Sequence, residues 1–247
     1  MVHPIRSFIS LALTIALSVL IFPAATVLSA DRTVSAIVPA PQTADWWMHQ
    51  HERLMTRVRQ GNVDLIMIGD SITQGWGGEG QRVWEHYYAP RRAVNLGFNS
   101  DRTEHVWWRL EHGEIDGLHP KVAVVMIGTN NSGVRNDPAE QTAAGVQAIV
   151  TMLRAKLPET KILLLGIFPR GAMATDSLRL LNGSINDRLR GFADGQYLFY
   201  ADLGHVFMDG EGRLRRDLMP DLLHPNEQGY HVWAEAMEPQ LKALLGE

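Results

Sequence analysis

The chain has 247 residues, 45% of them hydrophobic and 20% charged, an ordinary globular composition with enough length for one substantial core. Its net charge of -4 supplies no basic excess, so a nucleic-acid partner is not expected, because phosphate binding needs a cationic face. It has no cysteine, which excludes disulfides, thiolate metal sites, a thiol nucleophile and lipid attachment at sulfur.

In chain order, the first segment reads as a leader and not as part of the fold. Arg6 precedes an uncharged run from Phe8 to Leu28, and Ser29, Ala30 and the charged pair Asp31-Arg32 follow. A basic start, an apolar run and small residues before a polar stretch describe a secretory signal over residues 1–30, cleaved after Ala30. The protein is then expected to be exported, periplasmic or secreted, with no stable membrane contact after cleavage. The alternative is an uncleaved anchor, since a run of this length just spans a bilayer. Pro23 and the small residues near its end favour cleavage. Residues 31–43 contain two prolines and no period. They read as a linker to a domain spanning 44–247.

Trp47, His51, Leu54 and Val58 recur at helical spacing and predict a helix over Ala44–Gln60. Apolar runs follow at 63–69, 91–97, 121–128, 161–169 and 196–203. Most are continuously apolar, as strands covered on both faces are. Helical segments lie between them. Thr103 to His112 follows Asp101, with Glu104 at capping-box spacing. The stretch 138–156 places Ala143, Val146, Ile149, Val150 and Leu153 on one face, and 178–192 and 227–245 complete the set. Such alternation predicts one α/β domain with helices on both faces of a parallel sheet. Its ligands should sit outside the carboxyl ends of the strands.

The chemistry-bearing residues fall at those ends. Ser71, in Gly69-Asp70-Ser71, follows the first run directly, where a hydroxyl is within reach of a substrate. A serine needs a base to become a nucleophile. Near the C-terminus, Asp221-Leu222-Leu223-His224 offers one, with a carboxylate spaced to orient the imidazole. Asp202-Leu203-Gly204-His205 has the same spacing, and spacing alone does not choose between them. Gly97 and Asn130 end the second and third runs, where a backbone N–H and a side-chain amide could meet a developing oxyanion. Trp76, just after Ser71, is a candidate pocket wall. Trp107 and Trp108 are weaker candidates for the same role. His49-x-His51 does not share a helix face, and no H-E-x-x-H or phosphate-binding glycine loop occurs. No metal and no cofactor are expected.

Taken together, Gly69-Asp70-Ser71, Gly97, Gly128-Thr129-Asn130 and Asp221-x-x-His224 resemble, in chain order, the four blocks of the SGNH (GDSL-type) hydrolase superfamily. The stretches GDSITQGW, NLGFNSDRTEHVWWRL, GTNN and DLMPDLLHPNEQGY are most similar to its platelet-activating-factor acetylhydrolase catalytic-subunit-like branch. The third block reads GTNN where many members have G-x-N-D, so only the role of Asn131 departs from the pattern.

The resemblance implies a flavodoxin-like three-layer α/β/α sandwich with a five-stranded parallel sheet. It implies Ser71 as nucleophile, His224 as base and Asp221 as its orienter, which resolves the competition with His205. Ser71, Gly97 and Asn130 would form the oxyanion hole. The activity implied is hydrolysis of small acyl esters, acetyl foremost, with acetylated carbohydrate as a substrate class suited to an exported enzyme. Lipid or lysophospholipid esters are the alternative within that class, and a non-catalytic carbohydrate-binding module is the alternative outside it. Analogy with the branch also implies a homodimer.

Overall fold

The computed structural model describes Met1 and residues 35–247; the expected signal and the first residues of the expected linker lie outside the described residues. Five strands form one wholly parallel sheet: β1 (Leu65–Gly69), β2 (Ala93–Gly97), β3 (Val122–Met126), β4 (Lys161–Leu165) and β5 (Leu198–Ala201). Their order across the sheet is β2-β1-β3-β4-β5. This is the doubly wound, flavodoxin-like arrangement, and its direction of winding reverses between β1 and β3.

The strands are short and their side chains alternate between two apolar layers. Ile66 and Ile68 of β1 join one core with Val94, Leu96, Ala123, Val125, Ile162 and Leu164. That core is roofed by α1 (Asp45–Arg59), α4 (Thr103–Glu111), α5 (Ala139–Lys156) and α6 (Ser177–Arg190), through residues such as Val58, Leu110, Val146, Leu153 and Leu189. Leu65 and Met67 join the opposite core with Val122, Val124, Met126, Leu163 and Leu165. There the cover is α3 (Gln81–Tyr87) and α7 (Glu227–Leu245), the latter laying Trp233, Met237 and Leu241 on the sheet at four-residue spacing. Each fully buried aliphatic side chain stabilises by roughly 1.5–3 kcal/mol relative to exposure, so the sheet has a deep core on either side.

Three features differ from the sequence reading. Residues 35–43 are not a free linker: Ala36 is fully buried, its carbonyl accepts from Thr103 Oγ1 at 3.0 Å, and Gln42 Nε2 donates to Asp101 Oδ1 at 2.7 Å. The prolines give this segment no period, yet its polar groups find partners on the domain. Asp101 does not cap α4; the Arg102 N–H is instead met by His105 Nδ1 at 3.1 Å, and Asp101 turns inward to other donors. Finally, the Gly-rich stretch after β1 forms two helices that carry no apolar period long enough to read, α2 (Ser71–Gln74) and α3.

Candidate active site

The three C-terminal strand ends nearest the reversal of winding carry the site. Ser71 is the first residue of α2, immediately beyond β1. Its N–H is therefore among the donors that helix geometry leaves without an intrahelical acceptor. Asp70, the N-cap, accepts from Ile72 N–H at 3.0 Å and holds the turn. Gly69 and Gly97 make room for it. A Cβ on Gly69 would collide with Thr73, and one on Gly97 with the backbone of Thr73 and Gln74.

The Ser71 Oγ lies 2.9 Å from His224 Nε2, and His224 Nδ1 lies 2.6 Å from Asp221 Oδ2. The other carboxylate oxygen of Asp221 accepts from the backbone N–H groups of Leu223 at 3.0 Å and His224 at 2.7 Å. This closes a tight turn in which Leu222 takes a left-handed φ of +63°. Burial opposes the charge on Asp221, but these N–H groups and the His224 ring together hold its carboxyl below the usual range. An ionised Asp221 fixes the proton on His224 Nδ1 and leaves Nε2 facing Ser71 as an acceptor. The rival histidine is elsewhere: His205 is exposed, and Asp202 accepts from Gly204 N–H instead of pairing with it.

Asn130 is buried, and its Nδ2 donates one hydrogen to the Asp101 carbonyl at 3.0 Å. An amide carries two such hydrogens, so one remains. The Gly97 N–H is met by Asn95 Oδ1 at 2.9 Å. Behind these two residues lies a buried ionic network. Arg109 is fully buried, donates Nε to Asp101 Oδ2 at 2.9 Å, pairs with Glu114, and donates Nη2 to the Leu96 carbonyl at 3.2 Å. The Trp47 indole adds a donor to Asp101 Oδ1 at 2.7 Å. Apart from the Arg109–Glu114 pair, these bonds end on the loop between Leu96 and Thr103, which carries Gly97 and anchors Asn130.

Asp70 is almost wholly buried beside the nucleophile. Burial pushes its carboxyl up to about 7, against the Ile72 N–H, which stabilises the charged form. Asp101 raises it further and Arg170 lowers it. Arg170 sits in the loop that follows β4 and donates to the Thr129 carbonyl at 3.0 Å, next to Asn130. Neither Asp70 nor Arg170 stood out as a partner in the sequence, because their proximity arises from the order of the strands.

Ser71 opens onto a cleft of about 530 Å³ walled by Gln50, Arg53 and Leu54 of α1, by Gln74, Asn95 and Gly97, and by Gly75, Gly77 and Gly78. Trp76 is not part of that surface. It is fully buried, with its ring 4.6 Å from both Tyr230 and Trp233 and 5.0 Å from Tyr88, so the expectation of a pocket wall is corrected to core packing beneath α7. The reason is local: the short turn at 75–77 leaves Gly77 exposed and turns the indole inward. Trp108 packs against Trp47 and His112, and Trp107 against the sheet core.

With this geometry in hand, the chain can be set beside known proteins. The sequence profile of the GDSL-like lipase/acylhydrolase family matches residues 67–232. Platelet-activating factor acetylhydrolase IB subunit alpha2 of Rattus norvegicus is 33% identical over 210 residues, covering 83% of this chain and 88% of the relative. Subunit alpha1 of the same acetylhydrolase from Homo sapiens is 33% identical over 202 residues, covering 81% and 85%. Among solved structures, a GDSL-like lipase from Bacteroides thetaiotaomicron superposes with a TM-score of 0.64 at 16% identity, covering 78% of this chain and 97% of its own. An acetylxylan esterase from Geobacillus stearothermophilus superposes with a TM-score of 0.58 at 18% identity, covering 76% and 95%. The strand order, the block order and these matches agree: the chain belongs to the GDSL-like lipase/acylhydrolase family of carboxylic ester hydrolases.

Proposed function

We propose that this protein hydrolyses small acyl esters, acetyl foremost, through an acyl-Ser71 intermediate. The observation that carries this reading is the continuous hydrogen-bonded array from Ser71 Oγ through His224 to Asp221, at 2.9 and 2.6 Å. In the first step His224 Nε2 takes the Ser71 proton while Oγ attacks the acyl carbon. The carbonyl oxygen gains charge and is met by the Ser71 N–H, the free hydrogen of Asn130 Nδ2 and the Gly97 N–H, the last shared with Asn95 Oδ1. Collapse expels the alcohol, which takes the proton from His224. Water then attacks the acyl-serine with His224 again as base, releasing the acid and restoring the Ser71 hydroxyl.

An acetyl group is favoured because the alpha1 and alpha2 relatives are named acetylhydrolases. The amides of Gln50, Gln74 and Asn95 and the Arg53 guanidinium on the cleft wall offer hydrogen-bonding groups suited to a hydroxylated alcohol, such as an acetylated carbohydrate. The leader-like pattern of residues 1–30 supports action outside the cytoplasm. The test is hydrolysis of p-nitrophenyl esters of increasing acyl length by wild type and Ser71→Ala. Fast acetate cleavage that vanishes in the variant supports the reading. Absence of hydrolysis, or equal rates in both proteins, overturns it in favour of a binding module.

A further inference from the structure

The cleft at Ser71 is far larger than an acetyl group needs, so the alcohol part of the ester fills most of it. Its wall carries the amides of Gln50, Gln74 and Asn95 and one charged side chain, the exposed Arg53. Gln50 and Arg53 lie three residues apart on α1 and therefore share a face. That face is turned toward the nucleophile, because Gln50 Nε2 donates to the Gly97 carbonyl at 3.0 Å and Gln50 Oε1 accepts from Gln74 Nε2 at 3.3 Å. Asn95 Nδ2 donates to the Gln74 carbonyl at 3.2 Å. These amides hold one another in place and keep further N–H groups for hydroxyls. Arg53 differs from its neighbours. Arg57, one turn on, donates to the Gly61 carbonyl, whereas Arg53 has, among the described residues, no hydrogen bond and no carboxylate within 4.0 Å. Among the described residues, no acidic side chain lines the cleft with it.

We propose that the Arg53 guanidinium selects a carboxylate on the alcohol part of the ester, so that the preferred substrate is an O-acetylated acidic sugar. The inference rests on the reading of Ser71 as an esterase nucleophile only for turnover. Recognition of the acid by Arg53 stands on the wall of the cleft. A planar, permanently charged fork matches a carboxylate with two parallel bonds, which an ammonium cannot reproduce. The amides of Gln74 and Asn95 then meet ring hydroxyls.

The experiment compares a mono-O-acetylated methyl glucuronide with the matching neutral acetylated methyl glucoside. Wild type is assayed for kcat/KM, and Ser71→Ala for Kd by calorimetry, each with and without a change at Arg53. A preference of about tenfold for the uronide is expected, from charge-assisted hydrogen bonding. Arg53→Ala should bring the ratio to about one, chiefly through KM. Arg53→Glu should invert it, Arg53→Lys should keep part of it, and added salt should shrink it. Arg53 is exposed and makes no hydrogen bond or ion pair among the described residues, so these variants break none. A parent ratio near one, or a ratio indifferent to Arg53→Ala, overturns the proposal. The esterase reading fails separately: wild type inert on both sugars while Ser71→Ala still prefers the uronide removes turnover and leaves the recognition. Serine-dependent hydrolysis at equal rates on both sugars does the reverse.

Discussion

Gly69 and Gly97 are paired across the sheet at the ends of β1 and β2, and α2 rests on both of them, through the Thr73 side chain on Gly69 and through its backbone at Thr73 and Gln74 on Gly97. The helix that presents Ser71 can approach the strand ends this closely only because neither neighbour has a Cβ.

Gly97→Ala is accordingly expected to push α2 away from the sheet. The displaced atoms would be backbone, not a flexible side-chain end, so relief is costly. A loss of about 1–3 kcal/mol in stability, the usual range for overpacking, should accompany a fall in kcat larger than any rise in KM. Urea unfolding and steady-state kinetics on p-nitrophenyl acetate measure the two. Wild-type kcat in a folded Gly97→Ala protein would show that this contact does not position Ser71.

Asp221→Asn tests the orienter while sparing the turn. The Asn Oδ1 can still accept from the Leu223 and His224 N–H groups, as Asp221 Oδ1 does. Its amide, however, presents hydrogens to His224 Nδ1 and favours the tautomer with the proton on Nε2, facing Ser71. A kcat loss of roughly a hundredfold to ten-thousandfold is expected, with the melting temperature little changed. His205→Ala should leave kcat near wild type, because His205 is exposed and makes no contact with the array. The opposite pattern would exchange the two histidines.

Asp70 makes a pH prediction. Its carboxyl is pushed by burial from about 4 in the unfolded chain to about 7 in the fold, so the native state binds the proton more tightly. Stability attributable to this group is then full below the unfolded pKa and falls as pH rises toward 7. Asp70→Asn keeps an acceptor for Ile72 N–H without the charge. It should raise the melting temperature at pH 8 more than at pH 4.5, by a difference on the order of a few kcal/mol in stability. Equal effects at the two pH values would mean that Asp70 is not held protonated.

Breaking the Asp101–Arg109 pair should be severe. Both side chains are fully buried, and removing Arg109 leaves the Asp101 and Glu114 carboxylates without their shared counter-charge. A loss of about 3–5 kcal/mol is expected for Arg109→Met by denaturant titration. Because Arg109 also holds the Leu96 carbonyl and Asp101 holds Asn130, kcat of the folded fraction should fall as well. Unchanged stability would show that the network is not closed as described.

The sequence by itself determined the five strands, the longer helices and their chain order, but not the short α2 and α3. Stretches such as 65–69 and 122–128 are continuously apolar because β1 and β3 are covered on both faces, and α7 was readable from its spacing up to Leu245. Asp221 and His224 are three residues apart and one turn joins them, yet Asp202 and His205 share that spacing without pairing, and it was the family resemblance that chose between them. The tertiary structure decided what depends on strand order. It brings His224 to Ser71 across 153 positions, seals Trp76 beneath Tyr230 and Trp233, draws Asp101 away from the helix cap toward Arg109, and lays Gln50 and Arg53 along the cleft. Periodicity reports whether a residue is covered, through the regular geometry of one element. It carries no information on which element does the covering, since that is set by how the sheet winds and which loops its strand ends bring together.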